Sequence, residues 1–348
     1  MMRKLFISFL FFSTILSSSI IAGEPTKNDK FKPGDMIMHH ILDAHEWHIL
    51  DWKGKPVSIP LPVILFHEGK GVSAFLSSKF NHGHSNYKGY KMDHGHIVAV
   101  NIDGTKNKIE TEKIWDLSIT KNVFSLLLSI VILLSVFSTI SNRYKRNKNI
   151  APKGIQSLLE PIIIFVRDDI AKSAIGEKDY KKYLPFLLTV FFFIFLNNLL
   201  GLVPFFPGGA NLTGNIAVPM VMASMVFIIT TLSGKKYYWK HIFAMPGVPK
   251  PVLLILTPIE IFGVFLKPLV LMIRLFANIT AGHIIILSFF SMIFIFGEMS
   301  TLAGYGVSIF SGLFVLFMMT LELLVAFLQA YVFTLLAAMY FGMAVEEH

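Results

Sequence analysis

The sequence predicts an all-α membrane protein with a small mixed or β-rich domain ahead of its first membrane span. Of the 348 residues, 54% are hydrophobic and only 15% are charged, whereas an ordinary soluble domain has about 25% charged residues. Apolar runs of about 20 residues, enough to cross a bilayer, recur after residue 118. Basic residues lie between these runs, so the formal charge of +9 indicates membrane topology rather than nucleic-acid binding.

The first 23 residues have the layout of a secretory signal peptide. Arg3 and Lys4 precede a short apolar stretch, and small residues follow at Ala22 and Gly23. An uncleaved helix is the alternative, but the short apolar stretch and the serine-rich end favour a cleaved signal. The chain that follows is therefore expected outside the cytoplasm.

Residues 24–118 predict a small extracytoplasmic domain, because polar residues and glycine or proline turns alternate with short strand-like runs. The chain has no cysteine, which excludes disulfides and cysteine-ligated metals. Nine of the 12 histidines lie in this domain. They suggest a zinc or copper site, or a surface that collects protons, but without a fixed ligand spacing we expect no metal. The nine are His39, His40, His45, His48, His67, His82, His84, His94 and His96.

Residues 119–348 form the predicted membrane domain. The last two of its five predicted spans are longer than a bilayer requires, so they should be strongly tilted. Residues 155–175 mix apolar and charged side chains and predict an amphipathic helix on the cytoplasmic membrane surface. The five spans are expected at about 119–141, 184–205, 215–233, 253–297 and 302–343.

The charges of the loops predict the orientation of the chain. Residues 142–183 carry ten Lys or Arg residues, and the loop after the third span adds four more, whereas residues 206–214 carry no charge. The positive-inside rule places the basic loops and the C-terminus in the cytoplasm and the N-terminal domain outside. This agrees with the signal peptide and predicts a multi-pass protein of a bacterial inner membrane.

The last two spans contain ionisable residues, which are functional candidates inside a membrane. Glu260, Arg274 and His283 lie in the fourth span, and Glu322 lies in the fifth beside the amide Gln329. A central arginine costs about 2.5–3.5 kcal/mol to insert. Arg274 has long apolar flanks, so neither snorkelling nor pairing with a carboxylate several turns away explains it well. Groups that can carry protons thus lie on each side of a fixed positive charge.

Counting predicts which residues of the two spans lie at the same depth. If the spans form an antiparallel hairpin around the turn at 297–306, facing residues have numbers that add to a nearly constant total. His283 and Glu322 give 605, and Arg274 and Gln329 give 603. Each pair is therefore expected to lie level across the hairpin.

The motif TPIEIFGVFLKPLVLMIRLFANITAGH at residues 257–283 resembles the signature of subunit a of the F-type ATP synthase. Residues 196–204, the stretch LELLVAFLQAYVF at 321–333 and the terminal EEH extend this resemblance over about 119–348. It implies a subunit that is not itself catalytic and whose hairpin of long helices contacts a ring of c subunits. The implied partners are this c-ring, the b-subunit peripheral stalk and the rest of the ATP synthase complex, within a lipid bilayer.

The resemblance also implies a role for the arginine of the motif. Arg274 matches the essential cation that faces the ion-binding carboxylate of the c-ring and separates two half-channels. Asn278 and Gln329 match polar neighbours of this arginine.

The half-channels implied by the resemblance involve residues on both sides of the arginine. Glu260 matches the acidic residue of the cytoplasmic half-channel. His283 and Glu322 match two positions of the outer half-channel, where some relatives have the two residue types exchanged. Further candidates for the outer half-channel are Asn197, Asn198, Asn211 and Asn215.

Two other functions agree less well with the sequence. A stand-alone ion-coupled secondary transporter would predict internal repeats with broken helices in corresponding halves, and the sequence shows no such repeat. An intramembrane hydrolase would require a nucleophile–base or H-E-x-x-H arrangement, which is absent from the sequence. The phosphate-binding pattern G-x-x-x-x-G-K-[ST] is also absent, so no bound nucleotide and no cofactor are expected. The translocated ion could be H⁺ or Na⁺.

Overall fold

The computed structural model describes residues 32–52, 55–93, 95–146, 152–203, 206–245 and 247–346. The chain divides into two compact units, one with residues 1–32 and 45–118 and the other with residues 33–44 and 119–348. The predicted signal peptide at 1–23 lies outside the described residues. Helix α1 (Pro33–Ile41) belongs to the second unit, although the sequence assigns its residues to the N-terminal domain.

The described part of the first unit contains short strands arranged in three antiparallel sheets, a 3-10 turn at Ser77–Phe80 and one short α-helix, α2 (Lys108–Thr111). One sheet has the order β4-β3-β7, and the other two are the pairs β1-β2 and β5-β6. The strands are β1 (Glu46–Trp52), β2 (Lys55–Pro60), β3 (Pro62–His67), β4 (Gly71–Leu76), β5 (Tyr90–Asp93), β6 (His96–Ala99) and β7 (Ile114–Asp116).

The core of the first unit is built on the central strand β3. Val63, Leu65 and His67 alternate along β3 and are all fully buried, because successive side chains of a strand point to opposite faces. His67 is polar, and both of its ring nitrogens are bonded. Its Nδ1 lies 3.0 Å from the Tyr90 hydroxyl and its Nε2 lies 3.0 Å from a carboxylate oxygen of Glu110. A carboxylate only accepts, so Nε2–H is the donor in that pair.

The second unit is helical. Apart from α1, its helices are α3 (Lys121–Arg146), α4 (Ile155–Phe165), α5 (Ser173–Ile175), α6 (Tyr180–Leu202), α7 (Ala217–Ser233), α8 (Lys236–Phe243), α9 (Lys250–Met299) and α10 (Thr301–Val345). Among the described residues, α3, α6, α9 and α10 are each long and apolar enough to cross a membrane. Helices α7 and α8 reach that threshold together, across a bend of 104°. The all-α membrane fold is confirmed with four or five candidate spans, and the number five stays a prediction.

Helix α6 begins at Tyr180, four residues before the predicted span. Tyr180 and Tyr183 are buried in the helical core, while the lysines between them carry the charge that ended the apolar pattern in the sequence. A rule based on apolar runs stops at such lysines, whereas the helix continues because its apolar face still packs against its neighbours.

The predicted amphipathic segment at 155–175 is helical throughout, with a π-helical stretch at Val166–Lys172 between α4 and α5. Val166, Ile170 and Ala171 are fully buried in the helical core. On the other side, Arg167 donates two hydrogen bonds to Asp168. The segment is therefore amphipathic, with its apolar face in the protein core. Its place on the cytoplasmic surface stays a prediction.

Helices α9 and α10 form an antiparallel hairpin. Near the turn, a Cβ atom on Gly304 would lie 2.9 Å from the Cα atom of Gly297. Further along, the Phe289 and Phe314 rings lie 3.9 Å apart between centroids. At the far end, the Lys267 ammonium lies 5.6 Å from the centre of the Tyr340 ring. The residue numbers of these three pairs add to 601, 603 and 607. This range includes the totals of 605 and 603 that were expected for the two level pairs of the hairpin.

Candidate functional site

A polar cavity lies between the hairpin and helix α6. His283 and Glu322, which counting placed level with each other, both line it. Asn197, Asn198 and Asn211, three of the four asparagines proposed from the resemblance, line it as well. The other lining residues are Gly201, Leu202, Ala210, Thr213, Asn278, Ile279, Val325 and Ala326.

A glycine makes room for one ionisable group of this cavity. Gly282 faces Glu322 across the hairpin, and a Cβ atom on Gly282 would overlap the carboxylate oxygen Oε1 of Glu322. The absence of a side chain at this position lets the carboxylate lie against the backbone of α9. Gly201 on α6 lies beside His283, where an added Cβ would be 3.8 Å from the imidazole Nε2, an ordinary van der Waals contact.

The amides of α6 and of the loop that follows it form the opposite wall. Thr213 donates a 2.8 Å hydrogen bond to Asn198 Oδ1, and Asn197 donates a 2.8 Å bond to a backbone carbonyl one turn earlier. Within the described residues, one polar atom of each of the three asparagine side chains that line the cavity is buried and has no hydrogen-bond partner. The same is true of one carboxylate oxygen of Glu322. The atoms are Asn197 Oδ1, Asn198 Nδ2, Asn211 Nδ2 and Glu322 Oε1.

Arg274 lies outside the cavity, on an exposed face of α9. The side chains on its two flanks, Leu271 and Leu275, are buried in the helical core, so the arginine points away from that core. Its neighbour Ile273 is 48% exposed. The Arg274 guanidinium forms no hydrogen bond or ion pair with any residue that the structure describes. It is therefore a cation on an exposed helix face that is apolar around it except for Asn278.

Asn278 connects the cavity with the face that carries the arginine. It lies one helical turn after Arg274, is itself exposed, and also lines the cavity beside His283. Asn278 is therefore the lining residue that also lies on the exposed face of Arg274.

The other proposed site residues lie apart from this cavity. Gln329 is buried on α10. Glu260 lies on α9, two turns before Lys267. A second cavity adjoins Lys267 and is also lined by Val226, Phe227, Thr230, Tyr238, Val264, Pro268 and Tyr340. Asn215 is not among the residues that line the first cavity, and its side chain accepts a 3.1 Å hydrogen bond from the Ala217 backbone N–H at the start of α7.

Lys121 is a charged residue near the site that the sequence interpretation missed. It is only 7% exposed at the start of α3, and its ammonium lies 3.3 Å from the His40 carbonyl at the end of α1. Asp43 Oδ1 accepts 3.0 Å hydrogen bonds from the backbone N–H groups of Ala44 and Asn122. A lysine before an apolar run is typical of an ordinary span flank, so the sequence gave no signal of its burial.

Three histidines of the first unit pair with carboxylates. Nitrogen–oxygen distances are 2.9 Å for His45 and Asp116, 3.0 Å for His67 and Glu110, and 2.9 Å for His82 and Glu46. No group of three possible metal ligands occurs among the residues that the structure describes. Hydrogen bonds from Lys113, Lys70 and His67 outweigh burial and lower the pKa of Glu110 to about 2. Burial raises the pKa of Asp116, but bonds from His45 and Ser118 outweigh it and give a net decrease.

Two families match the chain. The family described as ATP synthase A chain matches residues 123–342, which include the whole candidate site. Residues 36–117 match a family described as a domain of unknown function, DUF8433.

Curated relatives match over nearly the whole chain. The protein named ATP synthase subunit a 2 of Chlorobaculum tepidum is 38% identical over 93% of this chain and 76% of its own length. ATP synthase subunit a of Chlorobium phaeobacteroides is 41% identical over 94% of this chain and 80% of its own. ATP synthase subunit a 2 of Chlorobium luteolum is 43% identical, over 92% and 79%. This chain therefore belongs to the ATP synthase subunit a family and is a membrane subunit of the proton-translocating F-type ATP synthase.

Proposed function

We propose that this chain is the non-catalytic stator subunit that conducts protons through two offset half-channels, which Arg274 separates. The observation that carries the proposal is the guanidinium on an exposed apolar face, one turn from a polar cavity. Such a cation is unfavourable against lipid. A partner that offers a carboxylate would cover the face and satisfy the charge, as the c-ring of the resemblance does.

The outer half-channel is the cavity that His283 and Glu322 line. Its unpartnered amide and carboxylate atoms support this role, because buried polar groups are normally satisfied by protein or by ordered water. A chain of water between these atoms can pass a proton to Glu322 or His283, both of which can bind and release it. The exposed Asn278 then marks where the path reaches the c-ring carboxylate.

Arg274 has two tasks in this mechanism. Its charge favours the ionised form of a c-ring carboxylate that approaches it, so the carboxylate releases its proton. The arginine itself remains protonated and cannot pass the proton on. Moving one proton across the membrane is worth about 2.3 kcal/mol per 100 mV. That work is captured as rotation only if the proton cannot cross directly between the half-channels.

The cytoplasmic half-channel is expected around Glu260 and the second cavity. Glu260 lies about 21 Å along the helix axis from Arg274, at 1.5 Å per residue. The Lys267 ammonium supplies a further polar group between Glu260 and Arg274. It lies over the Tyr340 ring, beside the second cavity. The basic loops orient this end of the hairpin to the cytoplasm of a bacterial inner membrane.

The exposed apolar face of the hairpin is the expected c-ring contact. Its large side chains would face either lipid or the helices of a partner. The charge of Arg274 favours a partner that offers a carboxylate over lipid. The b-subunit stalk and the rest of the complex would complete the assembly, and nucleotide chemistry would take place on other subunits. The exposed apolar residues include Phe262, Leu266, Leu269 and Ile273 on α9 and Leu313, Phe317 and Leu324 on α10.

The proposal is tested by replacing the arginine and measuring ATP-driven proton pumping in membrane vesicles. Arg274→Ala should abolish pumping while ATP hydrolysis by the assembled complex continues. Ile273→Ala, at the adjacent exposed position, should pump as the unmodified chain does. Coupled pumping by Arg274→Ala would refute the proposed role. No further observation favours the stand-alone transporter.

A further inference from the structure

The sheet β4-β3-β7 of the first unit has apolar side chains on both of its faces. Val63 and Leu65 of β3 are fully buried on the inner face. Antiparallel sheets that present one face to water normally carry polar residues there. The outer face of this sheet departs from that pattern.

The outer face is a grid of apolar residues in three rows. Phe66 of β3 pairs directly with Val72 of β4 on one side and with Trp115 of β7 on the other. In the next row, Ile64 pairs with Ala74, and the Leu117 backbone N–H donates a 2.9 Å hydrogen bond to the Ile64 carbonyl. The third row pairs Pro62 with Leu76. None of these eight residues is charged or polar, and together we call them the sheet patch.

Within the part of the chain that the structure describes, the sheet patch is exposed. The exposed fractions are 42% for Phe66, 49% for Leu76, 60% for Trp115, 62% for Leu117 and 70% for Val72. Contiguous apolar patches of this kind on a protein surface mark contacts with a partner or a membrane.

The chain itself indicates which of these covers the patch. Strand β7 ends at Asp116, Leu117 belongs to the patch, and the first candidate span begins at Lys121. Only three residues lie between Leu117 and the span start at Lys121. Four steps of no more than 3.6 Å each therefore place that edge of the patch within about 14 Å of the span start. Tryptophan and other aromatic residues are enriched at this depth, where lipid headgroups meet acyl chains.

We propose that the sheet patch is a membrane-contact surface. Trp115, Phe66 and Leu117 lie in the headgroup and acyl-chain boundary of the leaflet where helix α3 begins. The contact extends the attachment of the chain to the bilayer from its spanning helices to a β-sheet of the first unit. It is independent of the proposed proton path.

The absence of cysteine in the chain permits a direct test with single nitroxide labels. Val72→Cys places a label on the sheet patch. Ile102→Cys places a matched label at another exposed aliphatic residue, on the turn after β6. The whole chain, in its assembled complex, is reconstituted into vesicles of phosphatidylethanolamine and phosphatidylglycerol. Collision rates with oxygen, which partitions into lipid, and with a water-soluble nickel chelate are then measured, and retained ATP-driven pumping verifies folding.

The Val72 label should collide preferentially with oxygen, at a ratio several-fold higher than that of the Ile102 label. A Val72 label as accessible to the nickel chelate as the Ile102 label would refute the proposal, because the patch would then face water. A label shielded from both reagents would also refute it, because a protein would then cover the patch. Brominated lipids supply a second readout, since they should quench a fluorescence component that the variant Trp115→Phe lacks.

Discussion

The contact between Gly282 and Glu322 makes Gly282→Ala a sharp test of the proposed outer half-channel. A Cβ atom at position 282 would overlap Glu322 Oε1 and would lie 3.1 Å from Cδ and 3.3 Å from Cγ of the same side chain. The three nearest atoms all belong to the Glu322 side chain, so the carboxylate can move to relieve the overlap. The substitution therefore displaces the proposed proton carrier without removing it.

The displacement needed is about 1 Å, because non-bonded carbon and oxygen atoms normally stay more than 3 Å apart. A misplacement of that size can cost about 100-fold in rate, and the strain of the added methyl group is about 1–3 kcal/mol. ATP synthesis driven by an imposed proton gradient should thus fall about 10- to 100-fold, while the complex still assembles. The assay is synthesis in vesicles, normalised to the amount of assembled complex.

Two variants distinguish this effect from a general effect of alanine in the helix. Gly263→Ala, on the same helix, has no atom within 4 Å of the added Cβ and should leave synthesis unchanged. Gly282→Ala combined with Glu322→Asp shortens the carboxylate by one methylene and should recover part of the lost rate. Normal synthesis by Gly282→Ala alone would refute the reasoning, as would a double variant no better than the single one.

Three further predictions concern stability. The added Cβ of Gly342→Ala would overlap the backbone carbonyl of Ala174, so this variant should lower the stability of the chain by about 1–3 kcal/mol. The loss should appear as a lower Tm in detergent, whereas Gly312→Ala, whose added Cβ meets no atom within 4 Å, should keep the unmodified Tm. Equal Tm values for the two variants would contradict this contact. Glu110 and Asp116 have depressed pKa values, so their stabilisation is complete above about pH 4.5 and is lost as the pH falls toward 2. Acid should therefore expose the first unit of the whole chain to pepsin, and Glu110→Gln should weaken this pH dependence; identical pH profiles would argue against it. Lys121→Met removes the donor to the His40 carbonyl and should lower the stability of the chain by about 1–3 kcal/mol. Protease should then cleave this variant faster at residues 42–45, whereas Lys121→Arg, which keeps a donor, should be protected. Similar cleavage of both variants would show that the ammonium contact is dispensable.

The register of the hairpin could be predicted from the sequence because two long apolar runs flank one glycine-rich turn. Once the chain must reverse near residue 300, the depth of every residue follows from its distance to the turn. His283 and Glu322 consequently line one cavity. The side on which Arg274 lies could not be derived this way, since it depends on which flanks of α9 become buried, here Leu271 and Leu275.

The polar wall of the cavity was less accessible to sequence interpretation. Asn211 and Thr213 lie in a loop whose return toward α6 is fixed by contacts between side chains, such as the bond from Thr213 to Asn198. No periodicity encodes such a fold-back. Lys121 was missed for a similar reason, because its burial depends on α1, a short helix about 80 residues earlier in the chain that packs with the membrane unit. The family resemblance predicted the asparagines of α6 as candidates, whereas the partners of Asn197 and Asn198 are known only from the structure.

The central claim, that Arg274 prevents direct passage between two half-channels, is tested most directly by proton flux with the rotor locked. A cross-link between the c-ring and the stator stops rotation, and a potential is then imposed across the vesicle membrane. The unmodified chain should pass no protons under these conditions, whereas Arg274→Ala should leak. A locked Arg274→Ala complex as tight as the unmodified one, or a locked unmodified complex that leaks, would contradict the claim.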